Sequence, residues 1–298
     1  MTIGLPCSRS FIHVLGVQTA FYRKGKGPTV VLVHGASPGA CSELNWYKNF
    51  DYLVSRGYEV IAFDQAGFGH SGAPDDPSLE FRFRHAEAFL TALGLTSAVI
   101  VGNSMGGLIA VLLHQSLKES SIKVNGLVLL AQFPHFEMSA ESRTEAERHR
   151  DKLAAIKPNA DSVRRLTLGT FFNRSLVTDD IVMLRTSMLA KNWQAYEMRQ
   201  QGNAGLGIDL KGVRAEPIST PTLIIWGRDD KSLPSRLGVE ALTHFLDAQL
   251  LLLPRCGHWP QTEQTNAVHS AMICFIDGLY EYASAKPSPQ PAYAESRA

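Results

Sequence analysis

Apolar residues arrive along this chain in short β-branched runs, and each run gives way to a longer stretch where they recur every three or four positions. Runs at Gln18 to Arg23, Thr29 to His34, Glu59 to Asp64, Ala98 to Gly102, Gly126 to Ala131, Thr222 to Trp226 and Gln249 to Leu253 predict strands. Helical spacing marks the stretches near Asn45 to Arg56, Glu80 to Leu93, Gly106 to Lys118, Arg236 to Phe245 and Glu263 to Tyr282. Because the strand runs are continuous rather than alternating, they read as strands buried on both faces. The expectation is an α/β chain with a mostly parallel sheet flanked by helices.

The alternation breaks once. From about Pro134 to Arg214 there is no strong strand signal, but abundant charge and helical periodicity, as in Ser142 to Lys157, Asp161 to Phe171 and Asp179 to Asn192. The sheet pattern resumes at Pro221. The predicted organisation is therefore a core of residues 1–133 and 215–284, interrupted by a helical cap at 134–214. Such an insertion is expected over the carboxyl ends of the strands, where open α/β sheets bind ligands. Residues 285–298, opening Lys286-Pro-Ser-Pro-Gln-Pro, are Pro-rich without apolar periodicity and read as a disordered tail.

Charge narrows the function classes. Lys plus Arg number 29 against 28 Asp plus Glu, a net +1, which offers no electrostatic case for nucleic acid or an anionic membrane surface. No apolar run reaches the roughly 20 residues that span a bilayer, and the first residues lack the pattern of a signal peptide. The four cysteines, Cys7, Cys41, Cys256 and Cys274, are scattered without C-x-x-C spacing and read as reduced thiols of a cytoplasmic protein.

The candidate chemistry lies where strand runs end. Gly102-Asn-Ser104-Met-Gly106 sits between a strand-like and a helix-like run, the context in which a sharp turn exposes a serine hydroxyl and demands small neighbours. A serine needs a base, and the base needs an orienting anion. The strand at Thr222 runs into Trp226-Gly-Arg-Asp-Asp230, and the next into Pro254-Arg-Cys-Gly-His258. Ser104, Asp230 and His258 thus follow the Ser, Asp, His order of the α/β-hydrolase fold, although each taken alone also reads as an ordinary turn residue. The fourth requirement is an oxyanion hole. Val30-Val-Leu-Val-His34-Gly-Ala36 ends a strand in a loop whose Ala36 amide, with that of Met105, can point at a carbonyl oxygen. Losing one such donor typically costs about 3 kcal/mol of transition-state stabilisation. His34 reads as a residue that ties down loop backbone.

Together these motifs carry a family resemblance. His34-Gly-Ala-Ser-Pro-Gly-Ala40 with Asn45-Trp-Tyr-Lys-Asn49, then Gly102-Asn-Ser-Met-Gly-Gly107, Trp226-Gly-Arg-Asp-Asp230 and Cys256-Gly-His-Trp259 resemble the meta-cleavage product hydrolases, carbon–carbon bond hydrolases of bacterial aromatic degradation. The similarity runs to about Tyr282 and includes Leu168-Gly-Thr-Phe-Phe-Asn-Arg-Ser-Leu-Val-Thr-Asp-Asp180 of the cap. It implies a small-molecule substrate of the 2-hydroxy-6-oxo-hexa-2,4-dienoate type, no metal or organic cofactor, and a homo-oligomer. By the same resemblance Arg185 meets the dienoate end, Asn45 and Asn103 supply amide hydrogen bonds, Trp259 walls the pocket, and Asp230 rather than Asp229 completes the triad. Without it, Arg185 reads as an exposed helix charge and Asn45 as a helix N-cap.

The implied reaction has two stages. The dienol first becomes its keto tautomer; the C6 ketone is then attacked by Ser104 or by a water activated through His258, and the carbon–carbon bond breaks. One departure stands out: where the family carries a glycine-rich turn after the strand Gly126 to Ala131, this chain has Gln132-Phe133-Pro-His-Phe136. Phe133, with Phe136, Phe171, Phe172, Met183 and Trp193, is expected to shape the site for the C6 substituent. The competing readings are a carboxylesterase or thioesterase with the same triad, and a hydrolase-fold ligand receptor.

Overall fold

The computed structural model describes residues 3–117, 120–132, 155–201 and 217–284. Within them eight strands form one sheet: β1 Ser10–Val14, β2 Val17–Lys24, β3 Thr29–Val33, β4 Glu59–Phe63, β5 Ser97–Asn103, β6 Lys123–Leu130, β7 Thr222–Gly227 and β8 Ala248–Leu253. Their order is β1-β2-β4-β3-β5-β6-β7-β8. The pairs β1–β2 and β2–β4 are antiparallel, and all the others are parallel. The chain is an α/β-hydrolase fold, as its strand runs led one to expect.

Successive residues of a strand face opposite ways, so each continuous apolar run feeds two cores at once. Val31, Val33, Ile61, Ile100, Leu127, Leu129 and Ile224 pack on one side, with residues of α3 Leu79–Ala92, α4 Met105–Ser116 and the short helix at Arg236–Ala241. Val30, Leu32, Val60, Val99, Val101, Val128 and Ile225 pack on the other. There they meet α1 Ser42–Trp46, α2 Phe50–Ser55 and the long C-terminal helix Thr265–Ser284.

Two expectations about elements needed correcting. β1 was not predicted: at the sheet edge it buries little, with Phe11 49% exposed, so it carries no continuous apolar run. The single helix expected over Asn45 to Arg56 is two short ones, and Cys41 rather than Asn45 is the N-cap of the first. The break at Tyr47–Asn49 is held by distant partners: Lys48 Nζ donates to Thr262 O at 2.9 Å and Asn49 Nδ2 to Gln261 O at 3.2 Å.

Between β6 and β7, which are neighbours in the sheet, the chain makes α5 Ala160–Thr170, a 3₁₀ turn at Arg174–Leu176, α6 Asp179–Lys191 and α7 Trp193–Gln201. These helices meet the rest of the molecule on loops that follow strands. Arg185 of α6 reaches Ser37 and Pro38 beyond β3. Asn192 and Arg199 donate to Gly69 O and Gly67 O beyond β4, and His258 beyond β8 donates its amide to Thr170 O. The helix expected at Ser142 to Lys157 lies almost wholly outside the described residues, as do the tail and both ends of the expected cap. Among the described residues no helix is long and apolar enough to cross a membrane.

Candidate active site

Ser104 is held in a conformation that few side chains adopt. Its φ of 53° and ψ of −126° lie where L-residues are strained, a cost of order 1–3 kcal/mol that the surroundings must enforce. The enforcement is steric. An added Cβ at Gly102 would fall 2.4 Å from Gly106 O, and one at Gly106 would fall 2.2 Å from Val33 O. Only glycine at both places lets β5 turn at once into α4 while that helix lies against the end of β3. Ser104 is the N-cap residue of α4 but its side chain does not cap, so the hydroxyl is left for other work. Met105 is the first residue of the helix, and its amide has no acceptor within it.

The loop after β3 closes over this turn. A Cβ built on Gly35 would lie 3.4 Å from Ser104 Cβ, which places Gly35 beside the serine. His34 anchors that loop. Its Nε2 accepts from Gln65 N at 3.0 Å, so Nδ1 carries the proton and donates to Gly35 O at 2.6 Å. Both ring nitrogens are occupied, and burial pushes its pKa down. His34 is a structural residue, as its place at a strand end suggested.

Asp230 and His258 meet. His258 Nδ1 lies 2.7 Å from Asp230 Oδ2, while Asp230 Oδ1 accepts from Ser232 N at 2.7 Å and Leu233 N at 3.0 Å. Both residues are buried. Asp229 is turned to a different task, accepting from Arg255 N at 2.8 Å. Of the two adjacent acids, Asp230 is the one that reaches His258.

Arg185 is not an exposed helix charge. α6 buries Ile181, Val182, Arg185, Met188 and Leu189, the stripe of an amphipathic helix with a guanidinium at its centre. Its Nε donates to Pro38 O at 2.8 Å, Nη1 to Thr167 Oγ1 at 2.9 Å, and Nη2 to Ser37 Oγ. The group stands 5.7 Å from the Trp259 ring centroid. All these partners are neutral, and among the described residues it has no carboxylate partner. Burial lowers its pKa to about 10. Asn45, inside α1, accepts from Gly35 N at 3.4 Å through Oδ1, while its buried Nδ2 has no partner among the described residues. Asn103 Nδ2 donates to Leu130 O at 3.1 Å, tying the end of β5 to β6.

These contacts form one chain of neighbours. Trp259, next to His258, meets Arg185; Arg185 meets the loop at Ser37 and Pro38; and that loop leads back through Gly35 to Ser104. Of the residues expected to shape the site for a C6 group, Phe171 is buried against Trp259 with ring centroids 5.4 Å apart. Phe172 and Met183 are 45% and 60% exposed. Met183 precedes Arg185 by two positions, about 200° around the helix, so burying one turns the other outward. Phe133 and Phe136 lie outside the described residues. The partners of Arg185, namely Ser37, Pro38 and Thr167, were missed by sequence reasoning, as was Glu263, whose side chain accepts from Gly257 N.

Residues 28–265 match the family model described as the alpha/beta hydrolase fold. A 2-hydroxy-6-oxononadienedioate/2-hydroxy-6-oxononatrienedioate hydrolase of Paraburkholderia xenovorans LB400 is 31% identical over 87% of this chain and 91% of its own length. A 2-hydroxy-6-oxo-6-(2'-aminophenyl)hexa-2,4-dienoic acid hydrolase of Metapseudomonas resinovorans is 29% identical over 89% and 90%. Among solved structures, the meta-cleavage product hydrolase CumD of Pseudomonas fluorescens IP01 superimposes with a TM-score of 0.77 at 28% identity, covering 90% of this chain and 97% of that one.

Proposed function

Because the chain belongs to the α/β-hydrolase-fold family and is similar to meta-cleavage product hydrolases over most of its length, we propose that it cleaves a carbon–carbon bond in a 2-hydroxy-6-oxo-hexa-2,4-dienoate. The observation that carries this reading is the state of Arg185. A buried cation whose partners among the described residues are all neutral, on a helix that touches α1 and its buried Asn45 amide donor with no partner among those residues, fits an anionic substrate rich in acceptor oxygens. A dienoate brings a carboxylate and an enol oxygen to that end; a simple ester brings neither.

In this reading Ser104, His258 and Asp230 are nucleophile, base and orienting carboxylate, and the amides of Ala36 and Met105 hold the oxyanion. Arg185, Asn45, Asn103 and Trp259 hold the dienoate end, under the helices of 160–201. The C2 hydroxyl gives up its proton, the electron pairs shift along the diene, and C5 takes up a proton, leaving a ketone at C2. An oxygen nucleophile, Ser104 Oγ or a water deprotonated by His258, then adds to C6. When the C6 carbonyl re-forms, the C5–C6 bond breaks and its electron pair passes into the C2 oxygen as a dienolate. Protonation gives 2-hydroxypenta-2,4-dienoate, and C6 leaves as a carboxylic acid with one water consumed.

A panel of ring-fission products differing at C6 tests the reading by loss of dienolate absorbance. Turnover of at least one, abolished in Ser104→Ala, is the expected result, and the panel ranks aryl against alkyl groups. Ester turnover without any dienoate turnover would make the protein a carboxylesterase, and tight binding with neither a receptor.

A further inference from the structure

Five residues beyond His258, Glu263 ends the short helix Pro260–Glu263, and its carboxylate gathers amides from two separate segments. Oε1 accepts from Gly257 N at 2.9 Å; Oε2 accepts from Phe172 N at 2.8 Å and Asn173 N at 3.0 Å. A further bond, His258 N to Thr170 O at 2.9 Å, joins the same two segments. Gly257 has to be glycine for them to close: an added Cβ would fall 2.5 Å from Thr170 O, 2.8 Å from Phe172 N and 2.9 Å from Glu263 Oε1. Phe171 rests on Trp259 within the same contact. The residues on both sides of His258, and its own amide, are thus all engaged by 170–173 or by the carboxylate that binds it.

The stretch 170–173 runs on from the end of α5, which packs on α6 and supplies Thr167 to Arg185. Phe172 is exposed and Asn173 lies at the surface, so water can satisfy their amides, and local hydrogen bonding alone does not call for a carboxylate here. Bonds from amides to an ionised acceptor are shorter and roughly twice as strong as neutral ones. What this carboxylate adds is a fixed relation between the segment that supports Arg185 and the loop that carries His258.

We propose that Glu263 is a positioning residue, which sets the Arg185 end of the site at a fixed distance from the His258 end. The proposal rests on the carbon–carbon hydrolase reading, in which one substrate must engage both ends at once. Substrates that touch only the reacting end depend on it less.

Glu263→Gln keeps the size of the side chain and removes the charge. With a ring-fission dienoate, kcat/KM should fall at least tenfold more than with 4-nitrophenyl acetate. In the Arg185→Gln background the same change should cost less than threefold further on the dienoate, because the distance no longer matters once the anchor is gone. Equal losses on the two substrates, or full additivity with Arg185→Gln, would overturn the proposal. Hydrogen exchange gives a readout that needs no substrate: amides at 170–173 and 257–258 should lose protection together by tenfold or more, with the strands unchanged. If either segment keeps its protection the proposal fails, even where the wild type turns over dienoates. If the wild type turns over none, the carbon–carbon reading fails and the exchange result alone decides the coupling. Should Glu263→Gln not fold, Glu263→Asp, one methylene shorter, carries the same tests.

Discussion

Every oxygen that Asp230 presents is taken up by the protein: Oδ1 by the amides of Ser232 and Leu233, Oδ2 by His258. At Arg185 and Asn45, the other end of the proposed site, Asn45 Nδ2 is buried without a partner among the described residues and the Arg185 guanidinium is buried among neutral acceptors. The two ends cost the fold different amounts. A satisfied buried network is close to neutral, whereas an uncompensated buried charge costs several kcal/mol and an unmade hydrogen bond roughly 1–3. The fold completes the Asp230–His258 pair by itself, and in the proposed reading it leaves the other end for a ligand to complete. In that reading the substrate is selected by what the other end lacks.

The largest effects should come from the completed end. Ser104→Ala and His258→Ala should each lower kcat by about 10⁶ on dienoates and esters alike, since members of such a unit fail together. Near wild-type kcat in purified Ser104→Ala would remove the serine hydrolase assignment. Asp230→Asn keeps an acceptor for the Ser232 and Leu233 amides but turns an amide NH₂ toward His258 Nδ1. The wrong tautomer follows, and about 10⁴ in kcat should be lost with the melting temperature little changed. A loss of stability in step with the loss of activity would mean that the acid is there for the fold.

Arg185→Gln comes next and probes the other end. Removing a charge-assisted contact of roughly 1.5 to 3 kcal/mol should lower kcat/KM on dienoates by about 10- to 150-fold, with a far smaller loss on 4-nitrophenyl acetate. The ratio is the informative quantity. Equal losses on the two substrates would make the arginine a structural latch through Ser37, Pro38 and Thr167, and the contrast between the two ends would collapse.

The completed end was also the legible one. Glycines two positions either side of Ser104, and acid and base at strand ends, are demanded by local geometry, so they leave marks at fixed spacing. Arg185 left a fainter mark. Its neighbours Ile181, Val182, Met188 and Leu189 outline a buried stripe with the arginine inside it, but its partners lie in other elements and no spacing announces them. The break between α1 and α2 left none, since the groups that hold it, Thr262 O and Gln261 O, lie more than 200 residues away. β1 went unseen because an edge strand with one wet face lacks the apolar run that betrays the buried ones. Glu263 was read as the start of a helix, and nothing in the order of residues says that its carboxylate faces backward onto Gly257 and across to Phe172.

The smallest effect expected is also the one that separates the two ends most finely. Asn45 lies in α1 between Leu44 and Trp46, both fully buried, and a bland reading makes it part of that core. If so, Asn45→Leu, which roughly preserves volume, should alter stability and leave kinetics alone. The unpartnered Nδ2 argues the reverse. Replacing a buried donor that has no partner with an apolar group of similar shape is nearly neutral or stabilising, and the bond given up, from Gly35 N at 3.4 Å, is long. The melting temperature should therefore stay within a few degrees of wild type or rise. A dienoate oxygen would lose its donor at the same time, so kcat/KM on dienoates should fall by about tenfold, the worth of one hydrogen bond of roughly 1.4 kcal/mol. Thermal melts and dienoate kinetics on one preparation settle it. A clear drop in melting temperature with unchanged kinetics would return Asn45 to the core and leave Arg185 alone at the unfinished end.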